Sequence, residues 1–194
     1  WVSEKDGSII FSIRQCFHEQ VNVSGLSLVV GMAIIKSIEA ECQLLGLKIK
    51  WPNDIYFKDK KLAGILMENT LHKANQYVLV GVGVNFKLQD KIEIDAPWTD
   101  LSKIVDKLPD FQRLTASLIN NILAMSDDFQ LNGLRSLKSE WDDYDMLKGV
   151  SIKVKEPSQE FQGKLDGITD QGALRVLTEN GVKELFSSMH IEYI

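Results

Sequence analysis

The chain has 194 residues, 44% of them hydrophobic and 25% charged, enough to bury one substantial core with a small satellite domain beside it. Its formal net charge of -5 argues against the broad basic footprint that nucleic-acid binding requires. Two cysteines, Cys16 and Cys42, lie in apolar segments without a CxxC spacing, which argues against a disulfide framework or a zinc site and fits a reducing, cytoplasmic setting; no apolar run approaches the roughly 20 residues of a membrane span.

The opening "WVSEKDGSIIFSI" enters a strand almost at once and carries no secretory signal, so it reads as a chain cut from a longer one. From Ser8 to Phe17, "SIIFSIRQCF" places Ile9, Phe11, Ile13 and Phe17 on one side and Ser12 and Arg14 on the other, the pattern of a half-buried strand. Next, "LSLVVGMAIIKSIEAECQLLG" has apolar residues at helical spacing, with Ser24 placed to cap its start and Gly46 its end. Three strand-like runs follow, "LKIKWPNDIYF", "KLAGILMENTL" and "QYVLVGVGVNFKL"; the last is apolar almost throughout, as in strands buried on both faces. Between Gln89 and Pro109 the pattern weakens into a loop with room for a helical turn. Two amphipathic helices, Phe111 to Phe129 and Leu134 to Tyr144, then present Leu114, Leu118, Ile122 and Met125 as a core-facing stripe. From about Gly149 the texture changes to short strands separated by polar turns, which predicts a small antiparallel β-barrel of about 45 residues.

The charged interruption "KIKWPNDIYFKDKKLAGILMEN" is where the chemistry concentrates. Lys50 follows Ile49 in an otherwise apolar strand, and a partly buried ammonium needs an anionic partner. One reading has it snorkel to the surface or pair with Asp54; the other has it meet an anionic ligand. Pro52 removes a ladder donor and makes "WPND" a bulge or strand end, so that Asn53 and Asp54 sit at a rim, satisfying turn backbone or binding ligand. Lys58, Lys60 and Lys61 around Asp59 read as a solvated turn. Gly64 lies inside a strand, where it weakens β structure unless something approaches closely, and Gly81 and Gly83 alternate on one face beside Val82 and Val84. That alternation makes a ligand trough or a packing surface for the long helix. It is no dinucleotide fingerprint, because G-x-G-x-x-G would need glycine at Phe86. His18, His72 and His190 are scattered with no metal or triad spacing, and no G-x-S-x-G elbow occurs.

The run "KWPNDIYFKDKKLAGILMEN" followed by "GVGVN" closely resembles the catalytic domain of bacterial biotin protein ligases, in which K-W-P-N-D precedes a basic turn, K-x-x-G-I-L-x-E and G-x-G-x-N. The helix "GLSLVVGMAIIKSI", the junction "SEWDDYDMLKGVSIKV" and the C-terminal segment extend the likeness over nearly the whole chain. It implies an α+β fold, a mixed β-sheet packed against helices over residues 1–147, followed by an SH3-like barrel over 148–194. It also implies an enzyme that forms biotinyl-AMP from biotin and ATP and passes biotin to a lysine of a biotin carboxyl carrier domain of acetyl-CoA carboxylase. Lys50 matches the family's catalytic lysine, a fixed cation for the biotin carboxylate and the α-phosphate. By the same likeness Gly64, Ile65, Leu66, Gly81, Gly83 and Val84 contact biotin, while Trp1, Asn53, Lys61 and Asn85 serve the nucleotide. Asp54 orients the phosphates or a Mg²⁺ ion, which prefers oxygen ligands.

Two departures qualify the likeness. The family's G-R-G-x-x-G adenylate loop would lie before Trp1, outside this sequence, and "FSSMHIEYI" lacks the glycine and acidic residue often found at that point. Two alternatives therefore stand beside the ligase: a lipoate or octanoate ligase of the same architecture, and a non-catalytic biotin-binding fragment. The resemblance admits a homodimer and places acceptor recognition on an exposed sheet edge or the C-terminal barrel.

Overall fold

A computed structural model describes residues 6–89, 96–156, 159–187 and 191–194. Trp1 and His190, named above, lie outside the described residues. The chain runs β1 (Ser8–His18), α1 (Leu26–Cys42), β2 (Leu47–Lys50), β3 (Asp54–Phe57), β4 (Lys60–His72) and β5 (Asn75–Asn85). A 3₁₀ turn (Leu101–Lys103) leads to α2 (Phe111–Asn132) and α3 (Arg135–Tyr144), and five short strands follow: β6 (Ser151–Glu156), β7 (Gln159–Ile168), β8 (Leu174–Thr178), β9 (Gly181–Leu185) and β10 (Ile191–Tyr193).

The first five strands form one sheet in the order β1-β5-β4-β3-β2, with every ladder antiparallel. Among the described residues parallel pairing is confined to isolated bridges, Ile49 with Asp145 and Lys61 with Trp98. The expected run "LKIKWPNDIYF" is thus two strands folded back on each other at Trp51–Asn53. Pro52 cannot donate to a ladder, so it marks the reversal.

Helix α1 covers one face of this sheet and is buried on nearly all sides, because α2 packs on its back. The position a Cβ would take at Gly31 lies 3.1 Å from Ile49 Cδ1, so the helix comes close to the strands. On the far side Asn121 of α2 donates to Ser37 Oγ at 2.8 Å, and that hydroxyl donates to Ala33 O at 2.7 Å, an arrangement that satisfies a buried polar group. The N-cap is Gly25 at φ 83° and not Ser24. Glycine is required there, since a Cβ would fall 2.7 Å from Leu134 Cδ1 and 3.3 Å from Gly172 Cα.

Alternation explains β5. Val78, Val80, Val82 and Val84 are buried in the core they share with α1, whereas Leu79 on the other face is 40% exposed. The expectation of a strand covered on both faces therefore does not hold: the second face is apolar in much of its sequence, but among the described residues no helix covers it along its length.

The last five strands make a second antiparallel sheet, β10-β6-β7-β8-β9, around Ile152, Val154, Leu165, Leu174, Val176 and Leu185. The loop before β8 docks on the first sheet: Trp51, 4% exposed, donates its indole N–H to Gly172 O at 2.9 Å. Asp145 secures the junction by accepting from Leu147 N at 2.8 Å and from Trp141 Nε1 at 3.1 Å. Burial pushes the Asp145 carboxyl above its ordinary value, against the pull of these donors. Among the described residues no helix is long and apolar enough to cross a membrane.

Candidate active site

The register of the first sheet assembles the site. Ile10 faces Gly83, Gly83 faces Gly64, Gly64 faces Asp54, and Asp54 faces Lys50. Directly opposed residues of an antiparallel ladder project to the same face, so these five form one row across all five strands, on the side away from α1. The neighbouring row reads Ser12, Gly81, Leu66. Three glycines at the middle of two rows leave a trough whose floor is backbone, flanked by Ile10 at 53% and Leu66 at 66% exposure. The resulting cavity has a volume of about 490 Å³ and is lined by Asn53, Asp54, Lys61, Leu66 and the glycines, a size and a mix of apolar and polar lining common to small-molecule sites. A second hollow of about 380 Å³ adjoins it through Asn53, Ile65 and Leu66 and is lined also by Ser24 and Ser27, beside the start of α1.

Charge is divided along one edge of the trough. Lys61 Nζ sits 2.7 Å from Asp54 Oδ1, both groups about a quarter to a third exposed. Asp54 thus has a cation, and Lys50 makes no ion pair among the described residues. The Lys50 ammonium instead lies 4.9 Å from the ring centroid of Tyr193 and 5.5 Å from that of Tyr56, within cation–π range of both. Burial first, then the negative charge of Asp54 and the proximity of Tyr193, raise the Tyr56 hydroxyl above its ordinary value.

Of the residues singled out in the sequence, the structure brings Lys50, Asn53, Asp54, Lys61, Gly64, Leu66, Gly81 and Gly83 to the trough or its edge. Ile65 borders the cavity, but its side chain packs toward α1, so it offers backbone. Val84 is not brought there. It pairs with Ile9 and Ala63, is fully buried, and points to the helix face, because strand alternation separates it from Gly81 and Gly83. Asn53 clamps β4 in both directions, donating to Ile65 O at 2.7 Å and accepting from Ile65 N at 3.0 Å through its carbonyl. Asn85, on the glycine face and 5% exposed, donates to Thr99 O at 2.9 Å. The segment it holds also bonds to Lys61, whose backbone N–H donates to Pro97 O and whose carbonyl accepts from Thr99 N. Sequence reasoning missed Ile10, Tyr56 and Tyr193. Ile10 shares a face with Ser12 and Arg14, a pattern that reads as a solvent face, and the two tyrosines meet Lys50 only through the packing of separate elements.

No three His, Cys, Asp or Glu side chains converge among the described residues. Asp54 is the carboxylate placed at the trough, a donor set that fits a Mg²⁺ ion arriving on phosphates.

Residues 4–85 match the Biotin/lipoate A/B protein ligase family, and residues 149–188 match the Biotin protein ligase C terminal domain. The bifunctional ligase/repressor BirA of Escherichia coli is 31% identical over 164 residues, covering 81% of this chain and 49% of its own length. The biotin–[acetyl-CoA-carboxylase] ligase of Mycobacterium tuberculosis is 30% identical over 152 residues, 77% of this chain and 55% of that protein. This chain spans about half the length of the curated relatives it matches. Among solved structures, the biotin protein ligase from Aquifex aeolicus in complex with biotin and ATP aligns with a TM-score of 0.81 at 28% identity, over 100% of this chain and 81% of that one. The expected α+β architecture, a helix-backed sheet followed by a small barrel-like sheet, is the architecture of those ligases.

Proposed function

Because the chain belongs to the biotin protein ligase family, we propose that it forms biotinyl-5'-AMP and pyrophosphate from biotin and ATP, then passes the biotinyl group to a lysine of a biotin carboxyl carrier domain. The observation that carries this reading is the transverse row, with an ammonium at one edge, glycine backbone in the middle and an apolar residue at the far side. Residues 1–147 act as the ligase domain and 148–194 as the SH3-like domain.

A carboxylate and a triphosphate repel each other, so the first step needs a cation whose charge is not already neutralised. Lys50 supplies it, because Asp54 is paired with Lys61 and the partners of Lys50 are aromatic faces. Its N–H groups can donate to the biotin carboxylate and to an α-phosphate oxygen as the carboxylate oxygen bonds to phosphorus and the bond to pyrophosphate breaks. Gly64, Gly81 and Gly83 let the biotin lie against backbone, with Leu66 and Ile10 covering its apolar parts. Lys61, Asn53 and Asn85 belong to the nucleotide side. Mg²⁺ there would offset phosphate charge, held by Asp54 and the phosphates. In the second step the acceptor amine attacks the acyl carbon, AMP leaves, and the amine proton passes to solvent.

The acceptor is the kind of domain for which the Mycobacterium tuberculosis relative is named, that of acetyl-CoA carboxylase, and the setting is cytoplasmic. The test is exchange between ATP and labelled pyrophosphate, on residues 1–194 and on the product of the complete reading frame, with Lys50→Ala as control. Exchange that needs biotin and is abolished in a folded Lys50→Ala supports the reading. Exchange supported by octanoate or lipoate in place of biotin would move the chain to the lipoate branch, and biotin binding without exchange in either polypeptide would make it a binding module.

A further inference from the structure

Lys50 and Trp51 are consecutive, and both are held by the C-terminal sheet. The Trp51 indole donates to Gly172 O at 2.9 Å in the loop before β8. The Lys50 ammonium lies 4.9 Å from the ring of Tyr193 in β10, a strand at the opposite edge of that sheet's order from β9. Two separate elements of the small sheet therefore close on one end of β2. Tyr193 is itself registered opposite Ile152, a fully buried core residue of β6, and Ile194 N donates to Ser151 O at 3.0 Å immediately after it. The ring is thus borne by backbone tied into the sheet, although it is 45% exposed.

What surrounds the ammonium decides what Lys50 can do. A carboxylate at this place would neutralise the charge and take up its donors. Asp54 stands directly opposite on β3 but is paired with Lys61. Ring faces attract a cation electrostatically while leaving its N–H groups free to turn toward an anion. Tyr56, on β3, gives Lys50 one such face from within its own sheet at 5.5 Å, and Tyr193 gives the closer one from the other sheet.

We propose that Tyr193 is a positioning residue, whose ring seats the Lys50 ammonium at the edge of the trough and makes that seat depend on the docking of the C-terminal sheet. The proposal rests on the ligase reading for its catalytic consequence, and on the contact alone for its structural part. Tyr193→Leu keeps an apolar side chain but removes the π face, whereas Tyr193→Phe keeps the face and removes only the hydroxyl.

Two measurements test it together. In biotin-dependent pyrophosphate exchange, Tyr193→Leu is expected to lose about ten-fold in kcat/KM and Tyr193→Phe to stay within about two-fold of the parent, with melting temperatures unchanged, as suits a cation–π contact near a charged ligand. In NMR spectra of protein carrying ¹³C-labelled lysine, assigned with Lys50→Arg, the Lys50 ε-methylene should show an upfield ring-current shift that persists in the phenylalanine variant and shrinks in the leucine variant. The proposal is overturned if Tyr193→Leu keeps full kcat/KM, if Tyr193→Phe falls as far as Tyr193→Leu, or if the methylene shift does not respond to position 193. If the parent itself shows no biotin-dependent exchange, the ligase reading fails, and the methylene shift still decides whether Tyr193 seats Lys50.

Discussion

Gly81 and Leu66 face each other across β5 and β4, and a Cβ placed on Gly81 would lie 3.6 Å from the Cβ of Leu66 and 3.9 Å from Ser12 Oγ. Those are ordinary contact distances, and Gly81 is not among the glycines at positive φ. Nothing in the fold therefore requires glycine here. Gly81→Ala should leave unfolding free energy unchanged or raise it by up to about 1 kcal/mol through the unfolded chain. The same methyl rises from the trough floor, and crowding a ligand pocket by one carbon typically costs about ten-fold or more in recognition. Calorimetric titration with biotin beside thermal unfolding would show the split; a destabilised variant with normal biotin affinity would contradict it.

Asp54→Asn separates the nucleotide side from the fold in a similar way. A partly exposed pair such as Asp54–Lys61 contributes roughly 0–1 kcal/mol, so urea unfolding should shift by no more than that. On the proposed reading, in which Asp54 and the phosphates would hold the ion, the magnesium concentration for half-maximal exchange should rise several-fold, because the carboxylate has lost its charge. If magnesium dependence is unchanged, Asp54 has no part in holding the ion.

Gly172 is a tight point in the docking of the second sheet. A Cβ at Gly172 would fall 2.6 Å from Gly25 Cα, backbone that cannot step aside, and Gly172 adopts φ +81°. Gly172→Ala also threatens the bond that its carbonyl accepts from the buried Trp51 indole. The expected loss is about 2–4 kcal/mol in denaturant unfolding, from backbone strain and an unsatisfied buried donor. It should be accompanied by weakened exchange, since Trp51 adjoins Lys50.

Alkaline titration should isolate Tyr144. Burial, followed by the charge and hydrogen bonding of Glu39, pushes its phenol to about 12, and its hydroxyl donates to Glu39 Oε2 at 3.1 Å. The native state keeps a proton that the unfolded chain releases near the ordinary value of 10. This stabilisation is complete below pH 10 and is lost as pH rises through about 12. Absorbance at the phenolate band should show one of the four tyrosines titrating last, and Tyr144→Phe should remove that step.

Much of this was legible because local pattern and local structure agree. The half-buried alternation of β1, the apolar periodicity of α1, the stripe Leu114, Leu118 and Ile122 on α2, and the short strands after Gly149 all became the elements their patterns indicate. The same alternation, applied to β5, assigns Gly81 and Gly83 to one face and Val84 to the other. Grouping Val84 with the glycines followed the motif and set aside the period of two.

The sequence by itself determined the chemistry of the trough: a lysine before Pro52, an Asn-Asp pair after it, and glycines at Gly64, Gly81 and Gly83, all within or beside strands whose length and alternation are local properties. Only the tertiary structure decided which of these share a row. That depends on the register of the ladders, with Ile10 brought to Gly83 from a strand distant in sequence and Gly64 set opposite Asp54 across a hairpin whose register is shifted by an irregularity at Ile55 and Tyr56. It decided, too, that Asp54 belongs to Lys61 and that Lys50 meets Tyr56 and Tyr193. A short-range electrostatic partner goes to whichever group packing brings within a few ångströms, and more than 140 residues of chain separate Lys50 from Tyr193, a contact made only when the second sheet docks on the first.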